Sequence, residues 1–325
     1  MLNSIIEKIE ASNKSLVLSH QNPDGDTLGS MLALGALLKI KGHVVDFVCT
    51  DPLPEIYKFL PFSNYVVLPE DKSLQKNHEL AFSLDCGSLK RLGKAKELWL
   101  NTPCTINIDH HISNEKFGKI NWIEADATST GQLVYWLAKN LNIKVTKEVA
   151  MLLYTTLLTD TGCFANSNTN SDALSWGAEL IKLGAEHETI YRKTFLERPL
   201  KSIQVFAKAL GNLTLVENNE IGWTYITKEE MKKHLATGED TEDIADYIMR
   251  VRGVKVGVFF REEENETKVS LRSLIDFDVS NIAASMGGGG HKRAAGINVK
   301  SALVETKDKV LKKVIEEYRD YNGQK

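Results

Sequence analysis

Three apolar runs in the first 110 residues end in the same way. Leu16-Val17-Leu18 stops just before His20, Leu80 to Leu84 stops at Asp85, and Cys104 to Ile108 stops at Asp109. Short apolar runs with polar ends predict strands buried on both faces. Val44 to Cys49 predicts another. Helical periodicity fills the spaces around them, over Thr27 to Lys41, Ser129 to Asn140, Thr146 to Leu158 and Ser171 to Leu183, with Gly184 as a C-terminal cap. Strands alternating with helices predict an α/β fold built on a mainly parallel sheet. In such sheets ligands bind beyond the carboxyl ends of the strands, where these polar residues stand.

The second half has a different texture. Leu213 to Val216, Ile221 to Ile226, Val254 to Phe260 and Lys268 to Ser273 predict strands, with a helix from Thr241 to Val251 among them. A last strand near Gly296 to Val299 and a closing helix from Leu303 to Tyr318 follow. The expected organisation is a mainly parallel-sheet domain over 1–185, a partly helical connection over 186–205 and a smaller α+β domain over 206–325. A length of 325 residues with 42% hydrophobic content fits two domains of ordinary core size.

A net charge of −3 argues against coating long nucleic acid by charge, and leaves room for a small anion in a local basic pocket. Cys49, Cys86, Cys104 and Cys163 form no CxxC pair and read as reduced thiols of a cytosolic protein. The segment MLNSIIEKIEASNKS reads as a short amphipathic helix without the basic and apolar blocks of a signal peptide. No window approaches the roughly 18 apolar residues of a membrane span. A cytoplasmic protein without membrane contact is expected.

The polar ends carry the chemistry. Ser19-His20-Gln21-Asn22-Pro23-Asp24-Gly25-Asp26 offers an imidazole and two carboxylates in a tight loop. Asp26, at the start of a helix, also fits a plain N-cap role. Asp85 and the triplet Asp109-His110-His111 follow strands, and Asp160 follows the apolar helix KEVAMLLYTTLLT. Adjacent histidines on an extended chain point to opposite sides, so one is assigned to metal and one to substrate. Together these positions supply five carboxylates and three histidines on one rim of one sheet. Such a set suits two divalent ions sharing a carboxylate, and its mixed imidazole and carboxylate donors favour manganese, with iron and cobalt as alternatives, over calcium or an all-sulfur zinc site. His43, His78, His187 and His234 lack ligand-type neighbours and are assigned to structure or surface.

HQNPDGD, Asp85, Asp109-His110-His111 and Asp160 match in order and approximate spacing the four motifs of the DHH phosphoesterase superfamily. The second half resembles the DHH-associated C-terminal domain, whose glycine signature stands here as Gly287-Gly288-Gly289-Gly290-His291. The two-domain layout looks most like the stand-alone bacterial nanoRNases. The resemblance implies hydrolysis of RNAs of a few nucleotides to 5′-mononucleotides and removal of the 3′-phosphate of adenosine 3′,5′-bisphosphate. It implies one manganese ion on His20, Asp24 and Asp85, and a second on Asp26, Asp85, His110 and Asp160, with Asp85 shared. His111 would face the scissile phosphate, and Asp109 would orient a neighbouring histidine.

Substrate contacts are expected from the second domain. Gly287, Gly288, Gly289 and Gly290 read as a backbone loop that can approach an anion closely and present N–H groups to it. His291 and Arg293 follow at once, and Arg272-Ser273 end a strand. Short RNA or small nucleotides are the expected partners, with no long duplex; a homodimer is compatible. Three readings compete with this one. A linear dinucleotide phosphodiesterase would share the scaffold. A manganese pyrophosphatase would carry a lysine- and arginine-rich C-terminal motif that is not found. A nucleotide-binding regulator without catalysis would not need the full ligand set.

Overall fold

The computed structural model describes residues 1–323 of the 325. The chain divides into two compact units, Met1–Glu197 and a second that begins at Arg198.

The first unit runs α1 (Leu2–Glu10), β1 (Lys14–Leu18), α2 (Gly25–Ile40), β2 (Val44–Val48), β3 (Val66–Val67), β4 (Leu80–Leu84), α3 (Lys96–Leu100), β5 (Cys104–Asp109), β6 (Ile120–Ile123), α4 (Thr130–Asn140), α5 (Lys147–Asp160), α6 (Ser171–Lys182) and α7 (His187–Tyr191). Six strands pair in the order β3-β2-β1-β4-β5-β6, all parallel. Parallel strands covered on both faces need side chains that are apolar throughout. Leu16 and Leu18 pack into one cluster with Trp99, while Val17 packs into another with α2, α4 and α5. β3 and β6 are the additions to the sequence reading. One has two residues and the other is half-buried, so neither produces an apolar run.

α2 is apolar on every side and buried from Gly25 to Leu38. It packs on α5 with almost no space between them. A Cβ on Gly29 would come within 2.5 Å of Thr156 Cγ2 and 2.7 Å of the Leu152 carbonyl oxygen. Gly29→Ala should therefore destabilise the protein by about 1–3 kcal/mol through overpacking, despite the better helix propensity of alanine. A thermal melt that rises instead would contradict this packing.

The second unit runs α8 (Leu200–Gly211), β7 (Thr214–Val216), β8 (Ile221–Ile226), α9 (Lys228–Lys233), α10 (Ile244–Ile248), β9 (Val256–Glu262), β10 (Thr267–Ser273), α11 (Val279–Ser285), β11 (Gly289–His291), β12 (Ala294–Val299) and α12 (Leu303–Gly323). Its sheet order is β11-β12-β10-β9-β8-β7, antiparallel except for the parallel pair β8 and β9. Val258 and Phe260 face a core with Val310, Val314 and Tyr318, and Phe259 faces the opposite core with Val205 and Ile244. The helix expected from Thr241 to Val251 is shorter, a 3-10 turn followed by α10.

The stretch read as a connection, 186–205, contains α7, a π turn over Arg192–Leu196 and the start of α8. Buried Ile190, Thr194 and Val205 hold it in place, which its weak periodicity does not reveal. Among the described residues no helix is long and apolar enough to cross a membrane.

Candidate active site

β1 and β4 are neighbours at the centre of the first sheet, although β2 and β3 lie between them in sequence. The chain leaves their carboxyl ends in different directions, which opens the crevice that such sheets use for ligands. The loop after β1 brings His20, Asp24 and Asp26 to this rim. Asp24, and not Asp26, caps α2: its Oδ1 accepts the Thr27 N–H at 3.0 Å. The carboxylate of Asp26 instead accepts the N–H groups of Thr130 at 2.7 Å and Gly131 at 3.1 Å, at the start of α4.

Asp85 follows β4 with φ +55°, a left-handed conformation uncommon for a residue with a side chain. Its N–H donates to the Ile108 carbonyl at 3.0 Å, which fixes the turn. Strain of this kind, of order 1 kcal/mol or more, persists where surrounding structure imposes it and clusters at functional sites. The carboxylate it aims inward is buried.

The two histidines of the triplet converge, contrary to the expectation for an extended chain. β5 ends at Asp109, and the chain turns, with the Asn114 N–H on the His111 carbonyl. The rings lie 4.7 Å apart at 67°. Asp109 holds the turn: its Oδ1 accepts from the His110 N–H at 2.8 Å and from His111 Nδ1 at 2.7 Å. Asn114 Nδ2 donates to its Oδ2 at 2.5 Å.

His20 and His110 are presented alike. His20 Nδ1 meets the Gln21 carbonyl at 2.7 Å and His110 Nδ1 meets the Ala127 carbonyl at 3.2 Å. A proton spent on a carbonyl leaves Nε2 with its lone pair. His110 Nε2 is buried with no hydrogen-bond partner. It faces Asp26 Oδ2 at 3.7 Å, Asp85 Oδ1 at 3.7 Å and Asp160 Oδ1 at 3.8 Å. These distances are too long for hydrogen bonds, and an unpaired buried polar atom is costly. A cation among the four atoms would satisfy all of them.

Three sets of donor atoms lie close enough to hold a metal: His20, Asp24 and Asp85; Asp26, His110 and Asp160; and Asp85, His110 and His111. Mixed imidazole nitrogen and carboxylate oxygen is the donor chemistry of a first-row divalent cation.

The charges also call for a cation. Burial, then the carboxylates of Asp85, Asp160 and Asp24, pushes Asp26 well above the usual carboxylate range. Burial, with Asp85 and Asp24 adding to it against His110, lifts Asp160 to about 6. Burial would raise Asp85 too, but the neighbouring imidazoles of His20, His111 and His110 outweigh it, and its pKa falls. Asp109 lifts His111 to about 9 through their hydrogen bond, against the opposing effect of burial.

Several residues of this site were not read from the sequence. Thr27 Oγ1 lies 2.7 Å from His20 Nε2, 3.1 Å from Asp24 Oδ1 and 2.8 Å from Asp85 Oδ2. Its place directly after the HQNPDGD motif was the available signal. Asn168 donates to Asp160 Oδ2 at 2.9 Å, and Arg91 lies against His20. Neither carries a sequence signal. The four remaining histidines bond elsewhere: His43 to Ser15, His78 to Asp46, His187 to Tyr154 and His234 to Gln204.

The expected substrate residues are arranged differently from the sequence reading. Gly287 and Gly288 are not an open loop. They end α11, with N–H groups on the Ala284 and Ala283 carbonyls at 3.1 Å and 2.8 Å, and Gly287 has φ +81°. Gly289, Gly290 and His291 form the exposed edge strand β11. Arg272 directs its fork at Asp246, at 2.7 Å from Nε and 3.3 Å from Nη2. Ser273 is buried, bonding the Ile275 carbonyl at 3.0 Å. Arg293 stays largely exposed, 3.9 Å from Asp276.

The DHH family N-terminal domain is matched by residues 14–157 and the DHHA1 domain by residues 224–320. The bifunctional oligoribonuclease and PAP phosphatase NrnA of Thermus thermophilus is 33% identical over 304 residues, covering 93% of this chain and 89% of that one. The protein of the same name from Bacillus subtilis is 24% identical over 305 residues, covering 93% and 94%. Among solved structures, an exopolyphosphatase-related protein from Bacteroides fragilis superposes with a TM-score of 0.92 at 27% identity, over 98% of this chain and 96% of that one. The likeness to the Thermus protein spans both units, and on that likeness and the two domain matches the chain belongs to the DHH family.

Proposed function

We propose that this chain is a metal-dependent phosphodiesterase and phosphatase. It hydrolyses short oligoribonucleotides to 5′-mononucleotides and adenosine 3′,5′-bisphosphate to AMP. The observation that carries the reading is the orphaned His110 Nε2 facing three carboxylates beside the His20, Asp24 and Asp85 set, in a chain related over its length to NrnA. Two manganese ions would occupy the centre, one on His20, Asp24 and Asp85 and one on Asp26, Asp85, His110 and Asp160. Bound there, such ions make water a nucleophile at neutral pH and neutralise charge on phosphoryl oxygens.

The side chains supply the rest. Thr27 and the N–H groups of Thr130 and Gly131 hold the carboxylates in place. His111 spends Nδ1 on Asp109 and keeps Nε2 to donate to an oxygen of the substrate phosphate, where negative charge builds. In the second unit, exposed His291, Arg293 and the edge of β11 offer donors to a substrate anion. Arg272 would do so only by leaving Asp246. The protein would act in the cytoplasm, where its four free cysteines stay reduced.

The electrostatics of His111 give a pH prediction. Asp109 keeps it protonated up to about pH 9. Asp109→Asn keeps an acceptor but removes the charge, so the alkaline limb of kcat should move down by roughly one to two pH units. An unmoved limb would remove His111 from the proposed role.

The proposal itself is tested by a product time course with manganese on an RNA dinucleotide, a 24-mer, adenosine 3′,5′-bisphosphate and pyrophosphate. Fast turnover of the dinucleotide and the bisphosphate with slow turnover of the 24-mer is expected. Turnover of pyrophosphate alone would overturn it.

A further inference from the structure

Arg91 stands at the rim of the metal cluster and has no assigned task. It lies in the 3-10 turn Leu89–Ala95 that follows β4 and Asp85. That turn is fixed at several points. The Arg91 carbonyl accepts the Gln21 N–H at 2.8 Å, and the Leu92 carbonyl accepts the Thr50 hydroxyl at 2.7 Å. Gly93 has φ +49°, and a Cβ there would come within 2.9 Å of Gln21 Cγ and Thr50 Oγ1. The backbone of the turn is thus locked to the loop that carries His20, while the side chain of Arg91 is exposed.

Arg91 Nη2 lies 3.1 Å from both ring nitrogens of His20. A guanidinium has donors and no acceptor. Nδ1 spends its proton on the Gln21 carbonyl at 2.7 Å, so Nε2 is the ring nitrogen with a lone pair, and it also lies 2.7 Å from Thr27 Oγ1. Of the two ring nitrogens only Nε2 can accept an Arg91 N–H, and that lone pair is the one a metal on His20 would take. Among the described residues no carboxylate lies within ion-pair distance of it. Arg192, Arg261, Arg272 and Arg319, by contrast, each meet one. An exposed guanidinium on a fixed turn, with most of its donors unspent and no carboxylate beside it, is suited to an anion brought to the neighbouring imidazole.

We propose that Arg91 grips the phosphate under attack, donating to a non-bridging oxygen of the group brought to the His20, Asp24 and Asp85 set. The proposal rests on the phosphoesterase reading. It adds a selectivity. A guanidinium gains more from a doubly charged phosphomonoester than from a singly charged diester, so Arg91 favours the bisphosphate reaction over cleavage of RNA linkages.

The test uses the full-length, metal-loaded protein with Arg91→Gln and Arg91→Lys. For Arg91→Gln, KM for adenosine 3′,5′-bisphosphate should rise about 10- to 100-fold and KM for an RNA dinucleotide by less, in line with the loss of one charge-assisted pair. Arg91→Lys, which keeps the charge without the fork, should fall between. Calorimetric titration of inorganic phosphate into the magnesium-loaded protein should show the same weakening, with metal content and melting temperature unchanged. Unchanged phosphate affinity in Arg91→Gln, or loss of metal from it, overturns the proposal. Wild-type protein that turns over neither substrate defeats the phosphoesterase reading instead, and phosphate titration then still decides whether Arg91 binds the anion.

Discussion

Asp85→Ala should lower turnover of an RNA dinucleotide by about 10³-fold or more, the scale expected when electrostatic stabilisation of a transition state collapses. It should also strip bound metal. The reason is position. The Asp85 carboxylate lies 3.8 Å from His20 Nε2, 3.7 Å from His110 Nε2 and 3.4 Å from His111 Nδ1, and it accepts from Thr27 and Thr130 at 2.8 Å and 3.2 Å. Among the described residues no other candidate ligand joins both halves of the cluster. Asp85→Asn is the matching control, because asparagine tolerates the positive φ and keeps the hydrogen-bonding shape. It should fold like the parent and fail almost as completely. Kinetics and metal analysis on both variants check this, and activity within tenfold of the parent would show that the centre does not depend on a shared carboxylate.

Chelation has the second large effect, and its sign depends on pH. Asp26 and Asp160 bind protons more tightly in the folded chain than in the unfolded one. A raised carboxyl pKa gives stability that is lost as pH rises from the ordinary carboxylate range through the folded value, about 6 for Asp160. His111, at about 9, adds a loss in the same direction between its ordinary value and pH 9, reduced by its partial exposure. Asp85 shifts the other way, but its effect falls at lower pH. After treatment with chelator the protein should lose about 3 kcal/mol between pH 5 and pH 9. That corresponds to roughly 6–12 °C in melting temperature for a domain of this size. Manganese should restore most of the loss at the alkaline end. A chelated protein that melts higher at pH 8 than at pH 5.5 would contradict the electrostatics described here.

The sequence reveals most of what lies along a single strand. Leu80 to Leu84 and Cys104 to Ile108 read as buried parallel strands because apolar side chains must occupy both faces, and their terminal Asp85 and Asp109 mark the rim. The sharing of tasks between neighbours is less legible. Whether Asp24 or Asp26 caps α2 depends on where the first helical residue falls, a matter of one or two positions. The convergence of His110 and His111 depends on a turn held by Asn114, five residues after Asp109. Pairings across long separations leave no local trace. Asp26 meets Thr130 more than 100 positions away, and Arg272 is held by Asp246. The glycine run reads as a loop from composition alone, whereas two of its residues terminate a helix and two belong to a strand.

The burial of α2 has a consequence for how this chain is made. Its N-terminal end holds Asp24 and Asp26, yet the part of its cover that lies on α4 and α5 begins only at Thr130. A helix apolar on all sides has no stable existence in water. While the ribosome is still working toward residue 160, the face of α2 that meets α4 and α5 is exposed and oily, and domains in that condition are prone to aggregate. Truncated products that stop before Asp160 should be chaperone clients or inclusion-body material, and the metal centre can close only once the last helix of its set has been synthesised.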